Sequence, residues 1–76
     1  PFNPVTNITF GIESDGLVSV KVFDVTGREI ADLANGVYSV GYHIIDWDAS
    51  NSPSGMYFLK AEFGGITETQ KLMLIK

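Results

Sequence analysis

A chain of 76 residues has room for one compact domain with a small hydrophobic core. Its 45% hydrophobic and 18% charged residues are typical of a folded protein and exclude a disordered tail. Nine acidic residues against five scattered basic ones leave a net charge of −4, which disfavours binding to nucleic acid or to anionic lipid. The sequence has no cysteine, which excludes disulfides and thiolate metal sites, and no apolar run is long enough to span a membrane.

The predicted elements begin after residues 1–4, whose two prolines indicate an extended lead-in or linker remnant before a domain of residues 5–76. From there, hydrophobic and polar residues alternate with period two between glycine-containing turns, which is typical of half-buried antiparallel strands. The pattern predicts six or seven strands, near residues 6–12, 17–24, 28–33, 37–40, 42–48, 56–63 and 66–75. Short strands joined by tight turns predict an all-β antiparallel sandwich or barrel.

Local signals predict how some of these strands begin and end. Asp24 and Gly27 are expected to form the turn after the second strand, with the Asp24 carboxylate accepting backbone amides and Gly27 supplying a positive φ. A further turn is predicted at Asn35-Gly36. Residues 71–76 are apolar on both faces, which predicts a last strand covered on both sides.

Few groups are available for catalysis or metal binding. His43 is the only histidine, and it cannot form a triad with Ser39 and Asp46 because one strand does not bring the three side chains together. We therefore interpret His43 as a structural residue. Asp46 and Asp48, followed by Asn51, leave an acid pair or a partial calcium loop as alternatives, but a bidentate Glu is missing. We favour carboxylates that organise the next turn, and expect no catalytic, metal or cofactor site.

The aromatic residues present two alternatives. Trp47 and Tyr57 alternate with aliphatic residues on their strands and are predicted to be core anchors. Tyr38, Tyr42 and Phe58 remain as possible exposed aromatics, on which a sugar ring could stack. Carbohydrate binding therefore stays open as a minor alternative.

Five motifs in order resemble the type IX secretion C-terminal sorting domains of type A, also called Por secretion tails. The motifs are residues 1–10 (PFNPVTNITF), 22–28 (VFDVTGR), 41–48 (GYHIIDWD), 54–58 (SGMYF) and 71–76 (KLMLIK). The same pattern is similar to immunoglobulin-like domains related to flagellar hook-capping proteins. The resemblance covers essentially the whole chain and implies an immunoglobulin-like antiparallel β-sandwich of about seven strands.

The resemblance also implies a function. Such a domain is non-catalytic and directs a larger secreted bacterial protein, often a peptidase or glycoside hydrolase, from the periplasm through the outer-membrane translocon. A sortase then usually removes the domain and attaches the passenger to the cell surface. The absence of an initiator Met before Pro1 fits the expectation that a passenger precedes the chain. An accessory immunoglobulin-like spacer or carbohydrate-binding module of a secreted hydrolase is the alternative function.

Within this resemblance, the candidates for translocon recognition are Gly55, Tyr57, Lys71 and Lys76. Gly55 and Tyr57 could equally serve folding alone, with Gly55 allowing a tight turn and Tyr57 anchoring a strand. The family often has more basic residues near its end, whereas Gln70 here precedes a lone Lys71. Exposed strand edges of a short sandwich also predict a weak homodimer.

Overall fold

The computed structural model describes residues 5–75, which form an all-β fold of six strands. All pairings are antiparallel: β1 and β4 form a two-stranded sheet, and the order β3-β2-β5-β6 forms a four-stranded sheet. The predicted antiparallel β-sandwich is confirmed, with sheets of unequal width. The strands are β1 (Val5–Ile12), β2 (Gly16–Phe23), β3 (Glu29–Tyr38), β4 (Gly41–Asp48), β5 (Gly55–Phe63) and β6 (Ile66–Leu74).

The core forms on the central strands of the four-stranded sheet. Val18, Val20 and Val22 alternate along β2 with half-exposed residues, and all three are buried. Leu59 and Ala61 of β5 stand opposite Val22 and Val20 on the same face and are buried too. Burying each valine stabilises the fold by roughly 1.5–3 kcal/mol relative to leaving it exposed, so the inner face of β2 contributes substantially to the core.

Aromatic residues join the two sheets. Trp47 of β4 and Tyr57 of β5 are both buried, and their rings meet edge to face with centroids 5.2 Å apart. Phe10 of β1 stacks on Phe63 of β5 at 6.2 Å. The prediction that Trp47 and Tyr57 anchor the core is confirmed, because each fills the space between the layers.

β3 is one continuous strand where the sequence predicted two, near residues 28–33 and 37–40, separated by a turn at Asn35-Gly36. Gly36 instead lies inside β3, where it pairs with Val18 of β2. Pairing with a buried strand keeps the chain extended through this position, although Asn-Gly is a frequent turn sequence in isolation. The described residues therefore contain six strands, the lower of the two predicted numbers.

Register shifts in β3 explain why its first half lacks strand alternation in the sequence. The pairing with β2 shifts between Val20 and Lys21 and again between Val22 and Phe23. Ile30 and Leu33 have no opposite residue at these two shifts, and both pack against the core. A β-bulge inserts an extra residue and so interrupts the period of two on which the prediction depends.

The prediction that the last strand is covered on both sides is wrong. Leu74 is buried and Leu72 is half-buried, but Met73 and Ile75 are 60% and 63% exposed. Only one face of β6 points towards the two-stranded sheet. The alternate residues of its apolar run point the other way and face solvent. A run that is hydrophobic on both faces does not by itself show what lies against either face.

The predicted lead-in of residues 1–4 and the final Lys76 lie outside the described residues. Within residues 5–75 no helix has the length and hydrophobicity needed to cross a membrane.

Candidate recognition surface

Tyr57 and Gly55, two of the predicted recognition residues, lie at the start of β5. Tyr57 is only 5% exposed, and its hydroxyl donates a 2.5 Å hydrogen bond to the carbonyl oxygen of Pro53. Gly55 has a φ of 154°, in the region that favours glycine, and space around it is open. Both residues thus determine how the chain enters β5. The Tyr57 ring is buried and Gly55 has no side chain, so neither residue offers a partner a side-chain surface.

Lys71, the third predicted residue, is exposed on the outer face of β6. It stands opposite Phe58 of β5, and the next pair along the same face is Met73 and Met56. Ile75 follows in the same alternation. We call this group the terminal patch. It combines the cation Lys71 with four apolar side chains, which are Met56, Phe58, Met73 and Ile75.

Electrostatics distinguishes the terminal patch from the rest of this face. Lys21 pairs with Glu29 at 3.4 Å and Lys60 with Glu62 at 3.5 Å, so these cations have acidic neighbours. Lys71 forms no ion pair with another residue between 5 and 75. Its charge therefore remains available to a partner. Lys76, the fourth predicted residue, lies outside the described residues.

The predicted turn between β2 and β3 is confirmed. One carboxylate oxygen of Asp24 accepts the Thr26 amide at 2.9 Å, the Thr26 hydroxyl at 2.6 Å and the Arg28 amide at 3.0 Å. Gly27 has a φ of 87°, and its amide donates to the Asp24 carbonyl oxygen at 3.0 Å. The turn is thus a local device built from residues 24–28.

These hydrogen bonds lower the pKa of Asp24 below its usual value. The largest cause is the bond from the Thr26 side chain, and the backbone bond from Arg28 adds to it. A donor that binds the ionised carboxylate favours that form over the neutral acid. The turn is therefore most stable where Asp24 is charged.

His43 is a structural residue, as predicted. Its Nε2 donates to the carbonyl oxygen of Ser39 at 2.7 Å, and its ring contacts those of Tyr38 and Phe10. Asp46 lies on the opposite face of β4, because successive side chains of a strand point to opposite faces. The structure therefore does not bring Ser39, His43 and Asp46 together.

Asp48 organises the turn after β4, as predicted. One of its carboxylate oxygens accepts both the amide of Ser50, at 3.0 Å, and the Ser50 hydroxyl. Ser52 closes the same turn through a bond from its amide to the Ala49 carbonyl oxygen. Among the described residues, no three His, Asp or Glu side chains lie close enough to hold a metal ion.

The three aromatic residues considered as a sugar platform lie on different faces. Tyr42 is 87% exposed and lies across Gly11 on the outer face of the two-stranded sheet. Tyr38 is half-buried against Phe10, and Phe58 lies on the outer face of the other sheet. The described residues therefore present one isolated exposed ring and no shared stacking plane.

One long-range bond had no signal in the sequence. The Asp15 carboxylate accepts the Val40 amide at 2.6 Å and so joins the β1–β2 and β3–β4 loops. The terminal patch did have such a signal, since Lys71, Met73 and Ile75 alternate. The signal does not distinguish an exposed face from a covered one, because both faces of the segment are apolar.

Comparison with known proteins identifies the family of this chain. The model of a family described as secretion system C-terminal sorting domain matches residues 1–76. Domains of that family are non-catalytic signals of type IX secretion and mark proteins that are exported to the cell surface or secreted. No curated protein and no solved structure gives a significant match. Because the family model covers all 76 residues, the chain belongs to the type IX secretion C-terminal sorting domains, the Por secretion tails.

Proposed function

We propose that this domain carries a passenger, joined to it in cis, through the outer-membrane translocon of type IX secretion. A cell-surface sortase then removes the domain and attaches the passenger to the surface. The terminal patch is the element that the translocon contacts. The exposure of Met73 and Ile75 beside Lys71 is the observation that carries this assignment.

The terminal patch has the properties of a protein contact. Contiguous exposed apolar patches often mark the place where a protein meets a partner. Met side chains adapt to differently shaped partners because they are unbranched and flexible. Lys71 adds a charge that orients the encounter. β6 is also an edge strand, so a partner can reach the patch from the side.

Gly55 and Tyr57 have an indirect role in this proposal. Tyr57 is held by Trp47 and by the Pro53 carbonyl, so it fixes the start of β5. Met56 lies between Gly55 and Tyr57 and stands opposite Met73. Changes at Gly55 or Tyr57 would therefore displace the patch without removing any residue that the translocon touches.

The experiment uses a fluorescent reporter fused before the chain and expressed in a bacterium with a type IX system. In the test variant, Met73→Ser and Ile75→Ser remove apolar groups from the patch. In the matched control, Val37→Ser and Ile44→Ser remove groups of similar size and exposure elsewhere. We expect the test variant to be retained in the periplasm and the control to be secreted like the unmodified tail. Equal secretion of both variants, with both shown to be folded, would overturn the assignment.

Point substitutions are needed because truncation gives no clear result. Deletion of residues 72–76 would remove Leu74, which is buried at 4% exposure, and so would expose the core. Loss of secretion could then follow from unfolding alone. Immunoblotting of the surface fraction tests the attachment step separately, since removal by a sortase leaves a passenger that lacks the domain.

A further inference from the structure

β6 is exposed on both faces over most of its length. Its outer face meets solvent because it lies outside the sandwich, yet Ile66, Glu68 and Gln70 on its inner face are exposed as well. These three residues stand opposite Phe63, Ala61 and Leu59, which lie on the core face of β5. The second sheet has two strands over four, and it leaves this part of the inner face of β6 uncovered.

The uncovered part of β6 forms one wall of a groove of about 710 Å³. Residues 9–12 of β1 line its other side. Residues 13–18, which form the β1–β2 loop and the start of β2, line the remainder together with Phe63 and the Gly64-Gly65 turn. A smaller recess continues the groove towards Ile8 and Gln70, with Leu59 in its floor. No described residue of β4 lines either space, so the groove lies along the edge of β1 that faces away from β4.

The edge of β1 offers main-chain hydrogen bonds to an occupant. No strand in the described part of the chain pairs with β1 on this side. In an antiparallel strand, alternate residues direct their N–H and C=O groups away from the existing partner. An extended peptide can bind such an edge as an added strand, with its alternate side chains directed into the groove.

The charges around the groove indicate the chemistry of the occupant. Glu13, Asp15 and Glu68 line it, and no described Lys or Arg does. Asp15 already accepts the Val40 amide, so Glu13 and Glu68 have the most available charge. Phe10 and Phe63 supply an apolar floor. An extended segment that alternates apolar and basic side chains on its inward face fits these features, whereas a second copy of this chain would bring a net charge of −4.

We propose that the groove accepts an extended, basic peptide segment of a partner protein as a third strand beside β1. The added strand covers the inner face of β6 and completes a sandwich of three strands over four. Its apolar side chains contact Phe10 and Phe63, and its basic side chains approach Glu13 and Glu68. This site lies on the inner side of β6 and is separate from the terminal patch.

The test is an NMR titration of the isotopically labelled 76-residue chain with a capped peptide of about eight residues. The peptide has threonine at every second position, with valine and lysine alternating at the others. A second peptide carries glutamate in place of lysine. We expect the basic peptide to slow amide exchange along β1 and to bind about tenfold more tightly than the acidic one at low salt.

Matched variants locate the interaction. Glu68→Gln removes a charge from the groove, and Glu62→Gln removes the same charge from the outer face of the four-stranded sheet. We expect Glu68→Gln to weaken binding about threefold, as for one exposed charge pair, and Glu62→Gln to leave it unchanged. Neither residue belongs to the terminal patch, and the assay involves no secretion, so failure here leaves the proposed function standing.

Several results would overturn the proposal. Equal effects of the two variants would show bulk electrostatic attraction only. Shifts that map to the free edge of β6 or to the terminal patch would place the peptide elsewhere. Self-association through β1 that excludes the peptide would make a second copy the occupant. Absence of binding by either peptide would show that the groove accepts no strand of this kind.

Discussion

Single side chains in this domain act mainly by fixing the ends of strands. Asp24 collects three donors at the β2–β3 turn, and Tyr57 binds Pro53 where β5 begins. Asp48 does the same after β4. Apart from the bond from the Thr26 hydroxyl to Asp24, these bonds satisfy backbone groups that the strand ladders leave unpaired. The stability of the loops therefore depends on a few identifiable oxygen atoms.

Asp24→Asn should change how stability depends on pH. The folded domain lowers the pKa of Asp24, so its stabilisation is fully present above the unfolded value of about 4 and is lost as the pH falls through the folded value. We expect the variant to melt at a lower temperature than the unmodified chain at about pH 7, and the difference to shrink below about pH 4.

Thermal unfolding followed by circular dichroism across this pH range measures the effect. Asp46→Asn is the control, because Asp46 lies exposed on β4. A difference between Asp24→Asn and the unmodified chain that stays constant down to acid pH would contradict the hydrogen-bonding explanation.

Tyr57→Phe tests the bond to Pro53. The ring stays packed against Trp47, and only the hydroxyl is removed. We expect a loss of about 1 kcal/mol in the free energy of unfolding, the usual contribution of one such hydrogen bond. Urea unfolding measures it, with Tyr42→Phe as the control because Tyr42 is 87% exposed. Equal losses in the two variants would show that the bond contributes nothing.

At the scale of elements, the two-residue hairpin between β5 and β6 defines their register. Gly64 and Gly65 have φ values of 56° and 77°, and two positive φ angles are what a type I′ turn requires. The turn places Phe63 opposite Ile66 and, by continuation, Met56 opposite Met73. The terminal patch therefore depends on a turn at the other end of the same strands.

The effect of a substitution in this hairpin on the stability of the domain should depend on its position. Gly64→Asn should be nearly neutral, because Asn tolerates the left-handed region and Asn-Gly is a preferred type I′ pair. Gly65→Val should destabilise the domain by about 1 kcal/mol or more, because a β-branched residue rarely adopts a positive φ. No atom lies within 4 Å of an added Cβ at either site, so the effect comes from the backbone alone. Urea unfolding compares the two, and equal stability of both variants would contradict it.

The whole molecule is a sandwich whose layers differ in width. The four-stranded sheet supplies most of the core, and the two-stranded sheet covers only part of it. One consequence is a groove above β6. Another is that few side-chain contacts hold the two layers together. The homodimer expected from the exposed strand edges stays a prediction, and sedimentation of the isolated chain would test it.

Trp47→Ala should unfold a large fraction of the molecules. Removing a buried aromatic side chain costs about 3–5 kcal/mol. A natural domain has roughly 0.05–0.15 kcal/mol of stability per residue, so the loss approaches the total stability of a chain of this length. The near-ultraviolet circular dichroism of Tyr and Phe should weaken strongly. Ile44→Ala, at an exposed position of β4, is the control, and retention of a cooperative transition like that of the control would contradict the prediction.

The sequence alone determined the strand class, most turns and the two core aromatics. Period-two alternation along β1, β2, β4 and β5 and the Asp24–Gly27 turn are local patterns, readable because they depend on neighbours within a few residues. The resemblance in five motifs then identified the family, which the family model confirmed. Local patterns could not show the continuity of β3, because its bulges break the alternation and its pairing with β2 overrides the Asn35-Gly36 turn signal.

Only the tertiary structure decided which surfaces remain uncovered. The apolar run from Lys71 onward carries no information about what packs on each face. Met73 is exposed because its side of β6 points away from the other sheet. The narrow two-stranded sheet leaves Glu68 exposed above the groove, and the folding of the chain also brings Asp15 to Val40 across 25 residues. Alternation is a property of one strand, whereas coverage is a property of two packed layers, and the second appears only when the chain has folded.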